Sequence, residues 1–412
     1  MTRFEFLTVG SALHDAAHLE RVTTWISPML EAAGGAQTSD PQGSENLALV
    51  VLTGGTEHAI LSALGSRDER EPVLLVTHPG ENSLPAALEA LARLHQQGRP
   101  GRIAHLTGPH DRAGATRLVE AVTDLEVAAT LRRTRLGVLG DPSEWLVASV
   151  PSGDDVARSW GPTLVPVPFA EVLETYRRAP GKAGAALSRS VQGGATAVLE
   201  PTIAAIDDAA LVEPVLREIV ERRSLDAITV RCFDLVTALG TTGCLALSAL
   251  NDTGIVAGCE GDVPSALAMR WTSLLLDQIP WMANPAHVDA ASGRVLLAHC
   301  TVPRALAGDY RLRSHFESGL GVSVAGTLPL GPVTLVRIGG RHLRSLWIAE
   351  GTSVPHEPLE GVCRTQLAVD IAASDATTLL DRPLGNHIVV VTGHHAARLR
   401  RFADGLHPPP AD

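Results

Sequence analysis

The chain contains a single lysine, Lys182, among its 34 basic residues. A Schiff-base aldolase or a pyridoxal-type enzyme needs an activated lysine amine, and Lys182 sits in the turn-like segment Ala179-Pro-Gly-Lys-Ala-Gly-Ala-Ala186. As a phosphate-loop lysine it also fails, because Ala183 follows where Ser or Thr would bind magnesium. Neither chemistry is expected. No apolar run reaches the ~18–20 residues needed to cross a bilayer, so no membrane partner is expected. With a net charge of -11 and no basic stretch, the chain is not built to hold a phosphate backbone, and no nucleic acid is expected either. A nicotinamide-binding fingerprint is missing. Thr53-Gly-Gly-Thr-Glu57 opens a helix after a buried strand but lacks the dinucleotide spacing, and reads as a tight turn or a substrate contact. Five cysteines lie far apart with no Cys-x-x-Cys pair, which predicts free thiols and no disulfide frame. The opening MTRFEFLTVGSALHD runs straight into a strand and carries acids, unlike a secretion signal, so a cytoplasmic protein is expected.

What is present is ample material for burial: 412 residues, 45% hydrophobic and 19% charged, enough for two or three domains. Residues 1–142 alternate short apolar strands (Phe4–Val9, Leu47–Thr53, Val73–Thr77, Ile103–Leu106, Arg135–Leu139) with helices such as Glu57–Leu64 and Leu84–Gln97, the latter with Ser83 as its cap. This alternation predicts a doubly wound, flavodoxin-like α/β domain with a parallel sheet. A second α/β domain is expected over residues 143–304, with strands Ala227–Cys232, Gly254–Cys259 and Val295–His299 and helices Leu235–Leu250 and Val263–Leu276. Beyond it the pattern turns to strands (Val322–Val324, Val333–Arg337, His342–Ala349), with Gly339-Gly340 marking a hairpin. Residues 305–412 therefore read as a β-rich C-terminal domain with a final helix at Ala396–Leu406 and a disordered tail at His407–Asp412.

In open parallel sheets ligands gather at the carboxyl ends of the strands. Three strand ends carry reactive groups: Arg231-Cys232-Phe233-Asp234, Cys259-Glu260-Gly261-Asp262 and His299-Cys300. If these strands are neighbours, carboxylates, imidazole and thiols meet on one rim. Asp262 reads either as a helix cap or as a metal ligand, and Glu260 as a solvated charge or an acid/base group. Gly385-Asn386-His387, just before the buried run Ile388–Thr392, offers a further imidazole, suited to sharing a divalent ion with carboxylates or to a plain hydrogen bond. Arg364 and His315 are pocket candidates, the arginine equally readable as a structural ion-pair partner. His394 and His395 read as surface residues or ligand contacts. Cys232, Cys259 and Cys300 read most simply as small buried side chains, with a thiolate zinc site as the alternative although paired ligand spacing is absent.

The run Gly258-Cys-Glu-Gly-Asp-Val-Pro-Ser-Ala-Leu-Ala-Met269 and the segment Gly385-Asn-His-Ile-Val-Val-Val-Thr-Gly-His394 resemble the metal-binding aspartate and histidine segments of L-fucose isomerase-like proteins. Carried over, the resemblance makes Asp262 and His387 metal ligands, with manganese or a similar divalent ion as cofactor. It implies aldose–ketose isomerisation of a small sugar-like substrate through an enediol, with Glu260, Asp234 and Asp262 in catalytic roles. Arg364, His299, His315 and Asn386 would contact substrate, and a homo-oligomer is implied by analogy. The family's second metal-bound acid has no counterpart, because Leu235–Leu250 contains neither Asp nor Glu. That departure keeps a related epimerase, lyase or biosynthetic enzyme, or a non-catalytic sugar-binding protein, as alternatives.

Overall fold

The computed structural model describes residues 3–407, so most of the expected disordered tail lies outside the described residues. The described residues divide into two compact units, one running to Arg133 and resuming at Arg398, the other Thr134–Ala397.

The first unit is built on β1 (Phe4–Val9), β2 (Gly35–Gln37), β3 (Leu47–Val51), β4 (Val73–Thr77) and β5 (Gly101–His105). They pair in parallel in the order β2-β1-β3-β4-β5, the doubly wound arrangement. Period-2 alternation explains how one apolar run serves two cores. Ala48 and Val50 join Phe4, Phe6, Ile26, Leu30 and Leu118 on one face, whereas Leu47, Leu49 and Val51 join Ile60, Leu64, Ala86 and Leu94 on the other. Helices cover both faces, which is why β3 and β4 are buried throughout. The Thr53–Glu57 segment is a self-satisfied turn: Thr53 Oγ1 accepts from the Ser11 N–H, Thr56 Oγ1 donates to the Thr53 carbonyl, and Gly55 has φ +70°. Ser83 does not cap its helix. Its hydroxyl is taken by the Val51 carbonyl and the His78 N–H, and Asn82 occupies the cap position in a left-handed conformation.

The second unit begins with β6 (Arg135–Leu139), β7 (Thr163–Val167), β8 (Ala197–Val198), β9 (Ala227–Val230) and β10 (Val256–Cys259). Four of these form a parallel sheet in the order β10-β9-β6-β7. The expected helix Leu235–Leu250 is two helices, Phe233–Leu239 and Cys244–Asp252. Gly240 ends the first at φ +68°, as a left-handed glycine does.

The β-rich region contains β11 (Trp281–Asp289), β12 (Arg294–His299), β13 (Asp309–Arg313), β14 (Ser323–Thr327), β15 (Pro332–Gly339), β16 (Ser345–Val354), β17 (Thr365–Ile371) and β18 (Ile388–Thr392). Six of them close into an antiparallel barrel, β11-β12-β17-β16-β15-β18, which leaves no free sheet edge. Alternate residues Trp281, Ala283, Val295, Leu297, Val333, Leu335, Val369, Ile388 and Val390 form one buried cluster. β12 therefore belongs to the barrel and does not extend the parallel sheet. β16 starts at Ser345, later than the expected His342, because Arg341–Leu343 forms a short 3₁₀ turn after Gly340. The architecture is a mixed, multi-domain α/β fold with two parallel sheets and an antiparallel C-terminal barrel.

Candidate functional site

Barrel register brings three residues near one another. Ala298 of β12 pairs with Asn284 of β11, and Ala283 of β11 pairs with Ile388 of β18. His299, Asn284 and His387 thus share a rim. The ends of β9 and β10, hydrogen-bonded neighbours, meet the same cavity of about 510 Å³ with Cys232, Cys259 and Glu260.

Glu260 is turned toward this cavity by an unusual backbone. Both Glu260 (φ +63°) and Gly261 (φ +73°) are left-handed. A Cβ on residue 261 would lie 2.7 Å from Pro142 Cα, so only glycine permits the approach. The Ser143 N–H donates to the Glu260 carbonyl at 2.9 Å, fixing the reversal. The Trp145 indole N–H donates to Glu260 Oε2 at 2.6 Å, leaving Oε1 3.5 Å from His387 Nε2. Burial pushes the Glu260 carboxyl up, but His387 and the Trp145 N–H outweigh it and the group titrates below its ordinary value.

Asp262 points the other way. Oδ1 caps the helix Val263–Leu276 by accepting from the Ser265 N–H at 2.8 Å, with Pro264 in the first turn. Oδ2 accepts from Arg337 Nη1 at 3.0 Å and from His387 Nδ1 at 2.9 Å. Arg337 is itself buried and donates further to Ser265 Oγ, Ser149 Oγ and the Leu384 carbonyl. Gly385 lies so close that a Cβ there would overlap the guanidinium. Burial opposes ionisation of Asp262, yet Arg337 and His387 hold its carboxyl far below the usual carboxylate range.

His387 is fully buried between these two acids. Burial lowers its affinity for a proton, but Asp262 and Glu260 overcome that and raise it to about 9. Its Nε2 has no hydrogen-bond partner, since 3.5 Å from Glu260 is too long for a good bond. His299 is pushed down to about 4 by burial and by His387, so it is neutral at pH 7. Its Nδ1 lies 2.8 Å from Thr301 Oγ1, and its ring stands edge-on to His387 with centroids 5.5 Å apart.

Glu260, His299 and His387 together can hold a metal ion, their ligand atoms lying within 4.8 Å of one another. A carboxylate plus two imidazoles, one with an unpartnered buried nitrogen, suits a borderline or hard divalent cation. Asp262, bonded to the far nitrogen of His387, stands where an orienting carboxylate stands behind a metal-bound histidine. A second group, His14, His18 and Glu81, meets the same spacing in the first unit but is more exposed.

The cavity also brings in His315 and Asn386. It does not include Asp234, which is paired with Arg231 at 2.8 Å, or Arg364, whose Nε donates to the Ser314 carbonyl and which lines a separate groove. His394 and His395 bond to the carbonyls of Gly351 and Thr392. Sequence reasoning missed Trp145, Phe233, Phe316, Glu317, Cys244 and Cys363 in the wall. It also missed Arg337, although an arginine inside the apolar run Val-Thr-Leu-Val-Arg-Ile signals a buried counter-charge. At the place of the absent helix acid, the break between the two helices presents Thr242, Gly243 and Cys244 to the cavity.

Fold and site thus define an α/β-plus-barrel protein with a buried carboxylate–imidazole cluster beside a ligand-sized cavity. Comparison with known proteins points to sugar isomerases. Sulfoquinovose isomerase of Priestia aryabhattai is 23% identical over 293 residues, 66% of this chain and 62% of that protein. The one from Clostridium sp. (strain MSTE9) is 26% identical over 234 residues, 56% of this chain and 52% of its own length. That of Alkalicoccus urumqiensis is 30% identical over 135 residues, 30% of this chain and 29% of its length. The chain thus spans less than two thirds of the curated relatives it matches, and the likeness supports a sugar isomerase family without selecting the member. No family model matches. Among the described residues no helix is long and apolar enough to cross a membrane.

Proposed function

We propose that this chain is a metal-dependent isomerase that interconverts aldose and ketose forms of a small polyhydroxy substrate. The observation that carries this reading is the convergence of Glu260 and His299, which line one cavity, with the buried and unpartnered His387 Nε2 beside them, in a chain whose relatives are named as sugar isomerases. In this reading Glu260, His299 and His387 hold the ion, and Asp262 orients His387, a shift from the ligand pair Asp262 and His387 that the motifs suggest. The bound ion, manganese or a similar divalent cation, would supply Lewis-acid stabilisation of the negative charge that develops on adjacent substrate oxygens.

The protein's own groups supply the rest. Trp145 fixes one carboxylate oxygen of Glu260 and Asp262 fixes the imidazole tautomer of His387, so neither reorganises during reaction. Asn284 and Asn386 offer amide donors and acceptors to hydroxyls, and Phe233, Phe316 and Trp145 give the apolar surface on which a sugar face packs. Glu317, at the cavity and solvent-exposed, is the acid besides Glu260 in the wall and is our candidate for moving the proton between adjacent carbons. Among the described residues no arginine or lysine lines the cavity, so an uncharged polyhydroxy substrate suits it better than an anionic one. A homo-oligomeric, cytoplasmic enzyme remains our proposal for its setting.

The test is metal analysis of the purified protein, with wild type, Glu260→Gln and His387→Gln compared, followed by a panel of neutral aldoses and sulfoquinovose in D2O with added Mn²⁺. The reading expects a stoichiometric divalent ion lost in both variants, and ketose formation with solvent deuterium entering the product. Metal content unchanged in both variants, or binding of sugars with no exchange and no metal, would favour the non-catalytic alternative.

A further inference from the structure

All five cysteines of the chain line the cavity that carries Glu260, His299 and Asn386. Four are buried and Cys363 is half-buried. They were scattered in sequence from position 232 to 363, and topology gathers them. Cys300 lies in hydrogen-bond contact with both Cys244 and Cys363. Cys232 and Cys259 are also in contact, with Sγ atoms 2.7 Å apart.

That contact follows from strand pairing. Cys259 ends β10 directly opposite Val230, the last residue of β9. Two residues later the chain turns helical at Cys232, with φ -71° and ψ -25°, which folds it back over the neighbouring strand's end. Sulfurs already in contact need little movement to reach bonding distance. Among the described residues no three thiols bring their sulfurs together as a metal-ligand group. A structural zinc cage needs more sulfur ligands than a pair supplies, so pairing points to dithiol chemistry.

We propose that Cys232 and Cys259 form a modification site, a dithiol in the cavity wall that a peroxide converts to a disulfide. The step balances as two thiols plus one hydrogen peroxide giving one disulfide and two waters. One sulfur attacks a peroxide oxygen, breaking the O–O bond and becoming a sulfenic acid with release of the first water. The second sulfur then displaces hydroxide from the sulfenic sulfur, forming the S–S bond and the second water. A dithiol reductant reverses it by exchange. The site does not depend on which substrate, if any, the cavity takes.

The experiment treats the full chain with graded hydrogen peroxide under native conditions, then counts thiols in denaturant and maps linked peptides by mass spectrometry. Two of the five thiols should vanish together, in a cross-linked peptide pair joining Cys232 to Cys259, and dithiothreitol should restore both. Cys232→Ser and Cys259→Ser should each give no cross-linked pair at the same dose, but the wild-type map decides the matter even if a variant fails to fold. All five thiols surviving a dose that fully oxidises free dithiothreitol would overturn the proposal. So would a link joining Cys300 to Cys244 or Cys363, or sulfinic acid formed at Cys232 or Cys259 without a link.

Discussion

Replacing Arg337 by Met isolates the buried ion pair that underlies the site. Arg337 and Asp262 are both shut away from solvent and meet at 3.0 Å. Met keeps much of the aliphatic volume but removes the charge and the donors to Asp262, Ser265, Ser149 and the Leu384 carbonyl. Breaking a buried pair from one side leaves an uncompensated charge and costs about 3–5 kcal/mol. Asp262 would relieve part of this by binding a proton, which the same energy equates to a rise of about 2–4 pKa units. Five of the six tryptophans lie in the unit Thr134–Ala397 and Trp25 alone in the other, so tryptophan fluorescence in urea reports chiefly on the affected unit. With a slope of about 3 kcal/mol per molar, the midpoint should fall by about 1–1.7 M. Adding Asp262→Asn to Arg337→Met should recover part of the loss, because the orphaned charge is gone. A midpoint drop under about 0.3 M for Arg337→Met would refute the assignment of the pair as a stability element.

Gly261→Ala should destabilise the same unit by at least about 1–2 kcal/mol, the penalty of a left-handed non-glycine residue, with the Pro142 contact added. The same urea melts check it, and a neutral result would contradict the close approach. Asp262→Asn should weaken binding of a divalent ion about 10–100-fold by calorimetry, as loss of an orienting carboxylate does, and undiminished affinity would remove Asp262 from that role. In the first unit the Asp68 carboxyl is held down to about 2, chiefly by hydrogen bonds from Arg70, against an ordinary value of 3.8. A lowered folded-state value means its stabilisation is complete above about pH 4 and lost as pH falls toward about 2. Asp68→Asn should flatten the acid limb of stability over that window, and an unchanged limb would contradict the pairing.

Much of the fold was readable because periodicity and burial agree locally. Phe4–Val9, Val73–Thr77, Arg135–Leu139, Val263–Leu276, Ile388–Thr392 and Ala396–Leu406 occur with the bounds that patterning suggests. Where reading failed, a non-local partner decided. Ser83 looks like a cap, but the Val51 carbonyl 32 residues away claims its hydroxyl. Leu235–Leu250 looks like one apolar helix, yet Gly240 can adopt the left-handed turn that ends it, and nothing in the pattern says that it does. The buried character of β12 was evident, whereas its membership in a barrel depends on register with Thr365–Ile371, about 70 residues away. For the site, the reactive strand ends and His387 were visible as residues. Arg337 was not seen as the partner of Asp262, nor Cys244 and Cys363 as neighbours of the thiols at the strand ends, because both facts exist only once the barrel closes beside the parallel sheet.

The pair Glu260 and Asp262 shows how local backbone geometry sorts two similar acids into different tasks. On a continuing strand, residues two apart would face the same side. Successive left-handed conformations at Glu260 and Gly261 break that rule, sending one carboxylate to the cavity and the other to the helix start. Asp262 meets a guanidinium, an imidazole and a backbone N–H, so its charge is balanced within the protein. Glu260 meets only an indole N–H and the far side of the same imidazole. The surplus negative charge therefore lies at the cavity end of the row, where His387 binds a proton more tightly than a free histidine does. A site that raises proton affinity through opposing carboxylates favours any cation that fits, and a divalent ion gains twice the charge interaction of a proton. Proton and metal should compete there, with metal retention falling as pH drops. That is the electrostatic reason to seek the ion between Glu260, His299 and His387, with Asp262 behind the imidazole.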